Sequence, residues 1–265
     1  MTSFSSAWFS DVLNPDGDGP VVVGLPYAGG SGRAFRAVHP YLSDDSVLAL
    51  VDLPGHGTRL AEPCVRDADD VVVELLGTLD ALPTERLVLL GYSMGGWLAY
   101  DAAARLVDAG APPLGLVVCG SRAPQTGLGH PSLARHPVGP EFLREAVSMG
   151  LAAPEMIEVP GMAELFAPAL HADFAVVQSF RYRSRPPLPV PACVIGFDSD
   201  WLVPEPSLRA WDDVCVRPLQ RRVVGPHLGL HEDEAAFGTA VAAGVAHARD
   251  AHAHARTAAT TGLVR

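Results

Sequence analysis

The chain has 265 residues, of which 48% are hydrophobic and 18% charged, with a formal net charge of −11. That length suits one large domain with a substantial core and is short for two. The acidic balance, with no basic run longer than pairs such as Arg221-Arg222, argues against nucleic acid or an anionic membrane as the main partner, and no stretch approaches the ~20 apolar residues of a membrane span.

Along the chain, Met1 to Ser10 lacks a basic start and an apolar run, so no export signal is expected and the expected compartment is the cytoplasm. Short apolar runs then alternate with helical patterns, the signature of a mostly parallel sheet with helices on both faces. The predicted strands are Val21–Leu25, Val47–Val51, Leu87–Leu90, Leu116–Cys119, Ala192–Gly196 and Arg222–Val224. Between the second and third, Ala68–Leu82 places Val71, Val72, Leu75, Leu76, Leu79 and Leu82 on one apolar helical face. The four cysteines, Cys64, Cys119, Cys193 and Cys215, show no metal-ligand or redox spacing and read as reduced structural residues.

Arg122 to Pro191 is far longer than a usual crossover. Phe142, Ala146 and Met149 predict one amphipathic helix there, and Phe166, Leu170, Phe174 and Val177 a second, before Pro186, Pro187, Pro189 and Pro191 return the chain in extended form. This segment, about 122–191, is expected to be a helical lid inserted into a single domain spanning 1–248. The last helix is expected over Asp233 to about Ala248, and 249–265, rich in Ala, Thr and His, is expected to be a disordered tail rather than a metal site.

Chemistry concentrates at Gly91-Tyr92-Ser93-Met94-Gly95, set between a strand and a helix. A G-x-S-x-G at such a turn is the nucleophile elbow of α/β-hydrolases, in which small residues let the chain turn sharply enough to expose the serine. A serine hydroxyl is a poor nucleophile at neutral pH, so it needs a base, and the base needs an orienting carboxylate. In this fold the acid and then the histidine follow later strands. Asp198 and Asp200 both follow the strand ending at Gly196. Asp200, followed by Trp201-Leu202-Val203-Pro204, is the preferred acid, and Asp198 is expected to cap the loop. His227, after Gly225-Pro226, is the preferred base over His231, which is expected to open the last helix. His39, His56, His130, His136 and His171 are expected at the surface or in the lid. An oxyanion hole needs two N–H groups, one from Met94 and one from the Gly-rich loop Pro26–Gly32. That loop lacks the Gly-Lys-Ser/Thr of a phosphate-binding loop.

Leu25-Pro26-Tyr27-Ala28-Gly29-Gly30-Ser31 with Phe35, Leu53-Pro54-Gly55-His56-Gly57 with Arg59, Gly91 to Gly95, Ser121-Arg122-Ala123-Pro124, Leu170 to Phe174 with Tyr182, and Gly225 to Leu230 occur in order. Together they resemble the type II thioesterases, the stand-alone thioesterases of polyketide synthase and nonribosomal peptide synthetase pathways. The resemblance implies a serine hydrolase of the α/β-hydrolase fold that removes acyl groups from the phosphopantetheine arm of an acyl or peptidyl carrier protein, in editing or chain release, without a cofactor of its own. It implies Ser93, Asp200 and His227 as the triad, Ala28 and Met94 as oxyanion donors, and a lid over the acyl pocket. Departures from the family pattern are Tyr92 where histidine is usual, His171 in place of arginine, and Gly225-Pro226-His227-Leu228-Gly229 in place of G-G-H-F-F. Arg33, Arg36 and the arginines of 181–185 are candidate carrier contacts, with ordinary surface solvation as the alternative. A general small-molecule serine esterase, or a non-catalytic carrier-docking protein on the same fold, remain as other readings.

Overall fold

The computed structural model describes residues 4–128 and 133–262. Its sheet comprises β1 (Phe9–Leu13), β2 (Val21–Leu25), β3 (Val47–Val51), β4 (Leu87–Tyr92), β5 (Gly115–Cys119), β6 (Ala192–Phe197) and β7 (Leu219–Val223), in spatial order β1-β3-β2-β4-β5-β6-β7. Strands β2 to β7 run parallel, and β1 pairs antiparallel with β3 at the edge. Every residue of β2 to β6 is buried, so these strands read as continuous apolar runs rather than alternating ones.

The pleat splits their side chains between two cores. Val21, Val23, Leu25, Leu87 and Leu89 face α1 (Ala68–Leu79) and α2 (Met94–Asp108), and Val22, Leu48, Leu50, Val88, Leu90 and Tyr92 face the other way. The ten-residue 3₁₀ segment Gly32–Tyr41 covers that second face together with the terminal helix. Helix α1 starts where Asp67 accepts the Asp69 N–H at 2.8 Å, the usual satisfaction of an orphan amide at a helix start.

Between β5 and β6 the chain forms α3 (Pro140–Ser148), α4 (Glu155–Glu158) and α5 (Met162–Ser179). Leu133, Phe142, Leu143, Ala146, Leu170 and Phe174 give this insertion a small core of its own. Of the two predicted apolar faces, Phe142, Ala146, Leu170 and Phe174 are in it, Met149 packs against it, Val177 packs against the core of α1 and α2, and Phe166 joins neither. After β6 come α6 (Glu205–Arg209) and, at the end, α7 (Glu234–Gly262).

At the level of elements the structure corrects three expectations. Strand β1 has no counterpart in the predicted set, and the last strand lies over Leu219–Val223 rather than Arg222–Val224. Helix α7 continues to Gly262, so residues 249–262 are helical rather than the structureless tail expected there. Alanine carries a helix without an apolar stripe. Arg249 fastens this stretch by donating to Ser43 Oγ at 2.9 Å and pairing with Asp45 at 3.0 Å. No helix of the described residues is long and apolar enough to cross a membrane.

Candidate active site

Parallel strands bring their carboxyl ends to one edge of the sheet, where open α/β folds build their sites. The end of β4 turns directly into α2, with Ser93 at the junction in a backbone conformation of positive φ (φ 51°, ψ −112°). A non-glycine residue there is strained, which marks the turn as built for something other than stability. The flanking glycines are steric necessities. A Cβ on Gly91 would lie 2.1 Å from the Gly95 carbonyl oxygen, and one on Gly95 would lie 2.1 Å from the Leu25 carbonyl oxygen. The second contact seats the elbow against the end of β2 and the loop that carries Ala28.

Asp200 and His227 arrive from the ends of β6 and β7. His227 Nδ1 is 2.8 Å from Asp200 Oδ2, and Nε2 is 2.9 Å from Ser93 Oγ. A carboxylate only accepts, so Nδ1 carries the proton and Nε2 is free to accept from the serine hydroxyl. The other Asp200 oxygen, Oδ1, accepts the backbone N–H groups of Leu202 and Val203 at 2.9 and 3.2 Å. Both oxygens of this buried carboxylate are therefore satisfied, and its orientation is fixed.

Asp198 has a different place. Its Oδ1 accepts from the Gly225 N–H at 2.9 Å and from Ser199 Oγ at 3.0 Å, joining the β6 and β7 loops as a loop-capping residue does. The Gly225 amide, then the Ser199 hydroxyl, hold its carboxyl below the ordinary range. His231 lies in a 3₁₀ turn, Gly229–His231, ahead of α7 rather than at its start, with Nε2 2.8 Å from the Tyr27 hydroxyl.

Ser93, Met94, Ala28 and His227 line one cleft with Trp97, Leu151, Phe174, Val177 and Leu202, and its cavity volume is about 60 Å³. Met94 is the first residue of α2, where backbone N–H groups have no partner within the helix and the dipole favours negative charge. The insertion thus supplies Phe174 and Val177 to the same cleft as the serine. Trp97 donates from Nε1 to the Arg122 carbonyl at 2.7 Å, fixing the start of the inserted segment beside the cleft.

His56 corrects the expectation of a surface or lid histidine. It is 4% exposed, with Nε2 2.9 Å from Asp173 Oδ2 and Nδ1 3.2 Å from the Pro54 carbonyl. The first contact is at ion-pair distance, without the alignment of a good hydrogen bond. Asp173 Oδ2 also accepts the Gly29 N–H at 2.7 Å, so helix α5 of the insertion is tied to the loop bearing Ala28. Nothing in the sequence spacing announces this pair. His136 and His171 do lie in the insertion, where His171 Nε2 is 2.8 Å from the His136 carbonyl. His130 lies outside the described residues. Of the candidate surface arginines, Arg36 pairs with Asp11, Arg183 with Asp69 and Arg185 with Asp108.

Residues 20–240 match the family model described as the thioesterase domain. The chain is 28% identical over 214 residues to the probable anguibactin biosynthesis thioesterase AngT of Vibrio anguillarum, covering 78% of this chain and 84% of AngT. It is 32% identical over 208 residues to the AMB antimetabolite synthetase AmbE of Pseudomonas aeruginosa, and that match covers 78% of this chain but spans only 10% of AmbE. Among solved structures, YbtT, a type II thioesterase from the yersiniabactin NRPS/PKS biosynthetic pathway, superposes with a TM-score of 0.77 at 27% identity, covering 89% of this chain and 96% of YbtT. With this fold and this extent of match, the chain belongs to the thioesterase family, as a type II thioesterase and thioester hydrolase of the α/β-hydrolase fold.

Proposed function

We propose that the enzyme hydrolyses acyl groups from the phosphopantetheine arm of a carrier protein in polyketide or nonribosomal peptide biosynthesis, with Ser93 as nucleophile, His227 as base and Asp200 as orienting acid. The observation that carries this reading is the continuous chain of contacts from Asp200 Oδ2 through both His227 nitrogens to Ser93 Oγ, at 2.8 and 2.9 Å. The pathway assignment draws on relatives such as AngT and YbtT, whose own roles lie in anguibactin and yersiniabactin biosynthesis.

In the proposed cycle the Ser93 oxygen attacks the thioester carbonyl as its proton passes to His227 Nε2. The tetrahedral oxyanion is met by the Ala28 and Met94 backbone N–H groups. Collapse breaks the C–S bond, and the imidazolium protonates the departing thiolate of the pantetheine arm. A water, deprotonated by His227, then attacks the Ser93 ester, and the acid leaves as the serine regains its proton. Asp200 keeps Nδ1 protonated throughout and stabilises the imidazolium without accepting the proton. The apolar cleft walls suit an acyl chain.

The test compares hydrolysis of acyl groups on a carrier domain, on free N-acetylcysteamine thioesters and on oxygen esters. Preference for carrier-bound thioesters, with turnover reduced by about 10³ or more in Ser93→Ala, is the expected result. Activity confined to oxygen esters would favour a small-molecule esterase, and silence on every acyl substrate would favour a docking protein.

A further inference from the structure

Tyr92 sits inside the nucleophile motif but points away from the serine. Alternation along β4 sends its side chain into the core on the α7 side of the sheet, where it is fully buried. There its hydroxyl donates to the backbone carbonyl of His227 at 2.6 Å. Its ring meets Tyr27, which precedes Ala28, at 5.8 Å, Phe197 at the end of β6 at 5.6 Å, Phe237 on α7 at 5.8 Å, and the His227 imidazole at 6.2 Å. One side chain therefore touches the loops bearing the base and an oxyanion donor, and the end of the strand that leads to Asp200.

The loop it grips is anchored at its start, where Asp198 Oδ1 accepts the Gly225 N–H at 2.9 Å and the Gly225 carbonyl accepts the Ser199 N–H at 3.1 Å, and the Tyr92 hydroxyl is the anchor at His227 itself. Residues Gly225 to Gly229 include two glycines, and Gly225 adopts φ 130°. Gly229 leaves no room for a side chain, since a Cβ there would lie 2.9 Å from the Phe197 ring. A single turn bond, from the Gly229 N–H to the Pro226 carbonyl at 2.9 Å, closes the loop on itself. Burial pushes the Tyr92 phenol well above its ordinary range, so its hydroxyl remains a donor at any working pH.

We propose that Tyr92 is a positioning residue that clamps the main chain of His227 to the strand carrying Ser93, so that base and nucleophile keep their register through the catalytic cycle. The hydroxyl, rather than the ring, carries this role. The ring alone would fill the core. The bond makes the carbonyl of the catalytic base part of the sheet's own framework, and a displacement of about 1 Å at a reacting pair is enough to cost two orders of magnitude in rate. The inference rests on Ser93 and His227 acting as nucleophile and base.

Tyr92→Phe removes the hydroxyl and keeps the ring. Two rates are measured well below the melting transition: steady-state hydrolysis of an acyl thioester, and covalent labelling of Ser93 by a fluorophosphonate, which needs the nucleophile and base but no acyl pocket. Both are expected to fall about ten-fold, equal to about 1.4 kcal/mol at the transition state, with KM within about two-fold of wild type. Val241→Ala, a truncation in the same core that leaves the Tyr92 hydroxyl and its bond to His227 in place, serves as the stability control and should lower the melting temperature while sparing both rates. Wild-type rates in Tyr92→Phe would overturn the proposal, as would an equal loss of both rates in Val241→Ala. Ser93→Ala separates the two levels. If it still turns over, the triad reading fails; if it is inert while Tyr92→Phe is unimpaired, only the clamp fails.

Discussion

A methyl group at position 95 has nowhere to go, because its neighbour would be the main-chain oxygen of Leu25 rather than a side chain able to swing aside. Gly95→Ala is therefore expected to push the elbow off the end of β2, lowering stability by about 1–3 kcal/mol as overpacked sites do. It should also lower kcat more than that loss explains, because the Ala28 loop moves with Leu25; denaturant melts and steady-state kinetics on one preparation would check both. The two loop carboxylates give a second contrast. Asp200→Asn retains the shape but replaces one acceptor with an amide, so His227 can adopt the wrong tautomer, and kcat should fall by about 10³ to 10⁴. Asp198→Asn should stay within a few-fold of wild type, since its partners are the Gly225 amide and Ser199. The reverse order of effects would move the acid by two positions. These residues could be read from the sequence because strand ends fix where each must fall. Tyr92 and His56 could not, since their value lies in partners brought close only by folding.

At the scale of elements, the insertion meets the body at the buried His56–Asp173 pair. His56 Nδ1 faces the Pro54 carbonyl and Nε2 faces the Asp173 carboxylate, so both nitrogens have acceptors as neighbours and the imidazolium suits the site. Burial pulls its pKa down, but Asp173, the Pro54 carbonyl and Asp52 outweigh that, and the net shift is upward from 6.5. A histidine whose folded value is raised contributes stability that is complete below about 6.5 and is lost as pH climbs through the raised value. His56→Asn should thus cost the most near pH 6, about 3–5 kcal/mol for breaking a buried pair, and progressively less toward pH 9. Urea melts of both proteins across that range provide the check; a constant gap would mean that His56 is neutral throughout. The elements themselves were legible to different degrees. The runs β2 to β6 and the apolar face of α1 stand out because burial on both faces, or on one face at helical period, writes itself into composition. Strand β1 does not, because Phe9-Ser-Asp-Val-Leu is half-buried at every position and joins at an edge. The last turns of α7 are not marked by periodicity, because they have helix propensity without an apolar stripe.

For the molecule as a whole, the arrangement of cores decides which part can move. Two large cores lie on opposite faces of the sheet, and the insertion has a third, smaller one. Helix α5 belongs to both regimes. Its carboxyl end is tied to the body, with Val176 in the α1 and α2 core and Ser179 Oγ accepting the Ala68 N–H at 2.8 Å. Its Ala167, Leu170 and Phe174 pack in the insertion's own core instead, over a cleft of about 60 Å³ that must widen for a long acyl chain. Opening should therefore pivot about the end of α5, with α3 and α4 and the start of α5 moving together while residues near Ser179 stay put. Hydrogen exchange is expected to report this as a gradient: amides of 140–168 exchange fastest, those of 172–179 more slowly, and those of β4 only on global unfolding. Phe174→Ala removes a ring shared by the insertion's core and the cleft, so it should steepen that gradient and shift activity from short toward long acyl chains. Uniform protection along α5, together with an unchanged ratio of short- to long-chain activity in Phe174→Ala, would make the insertion a fixed cover and place substrate selection elsewhere in the cleft.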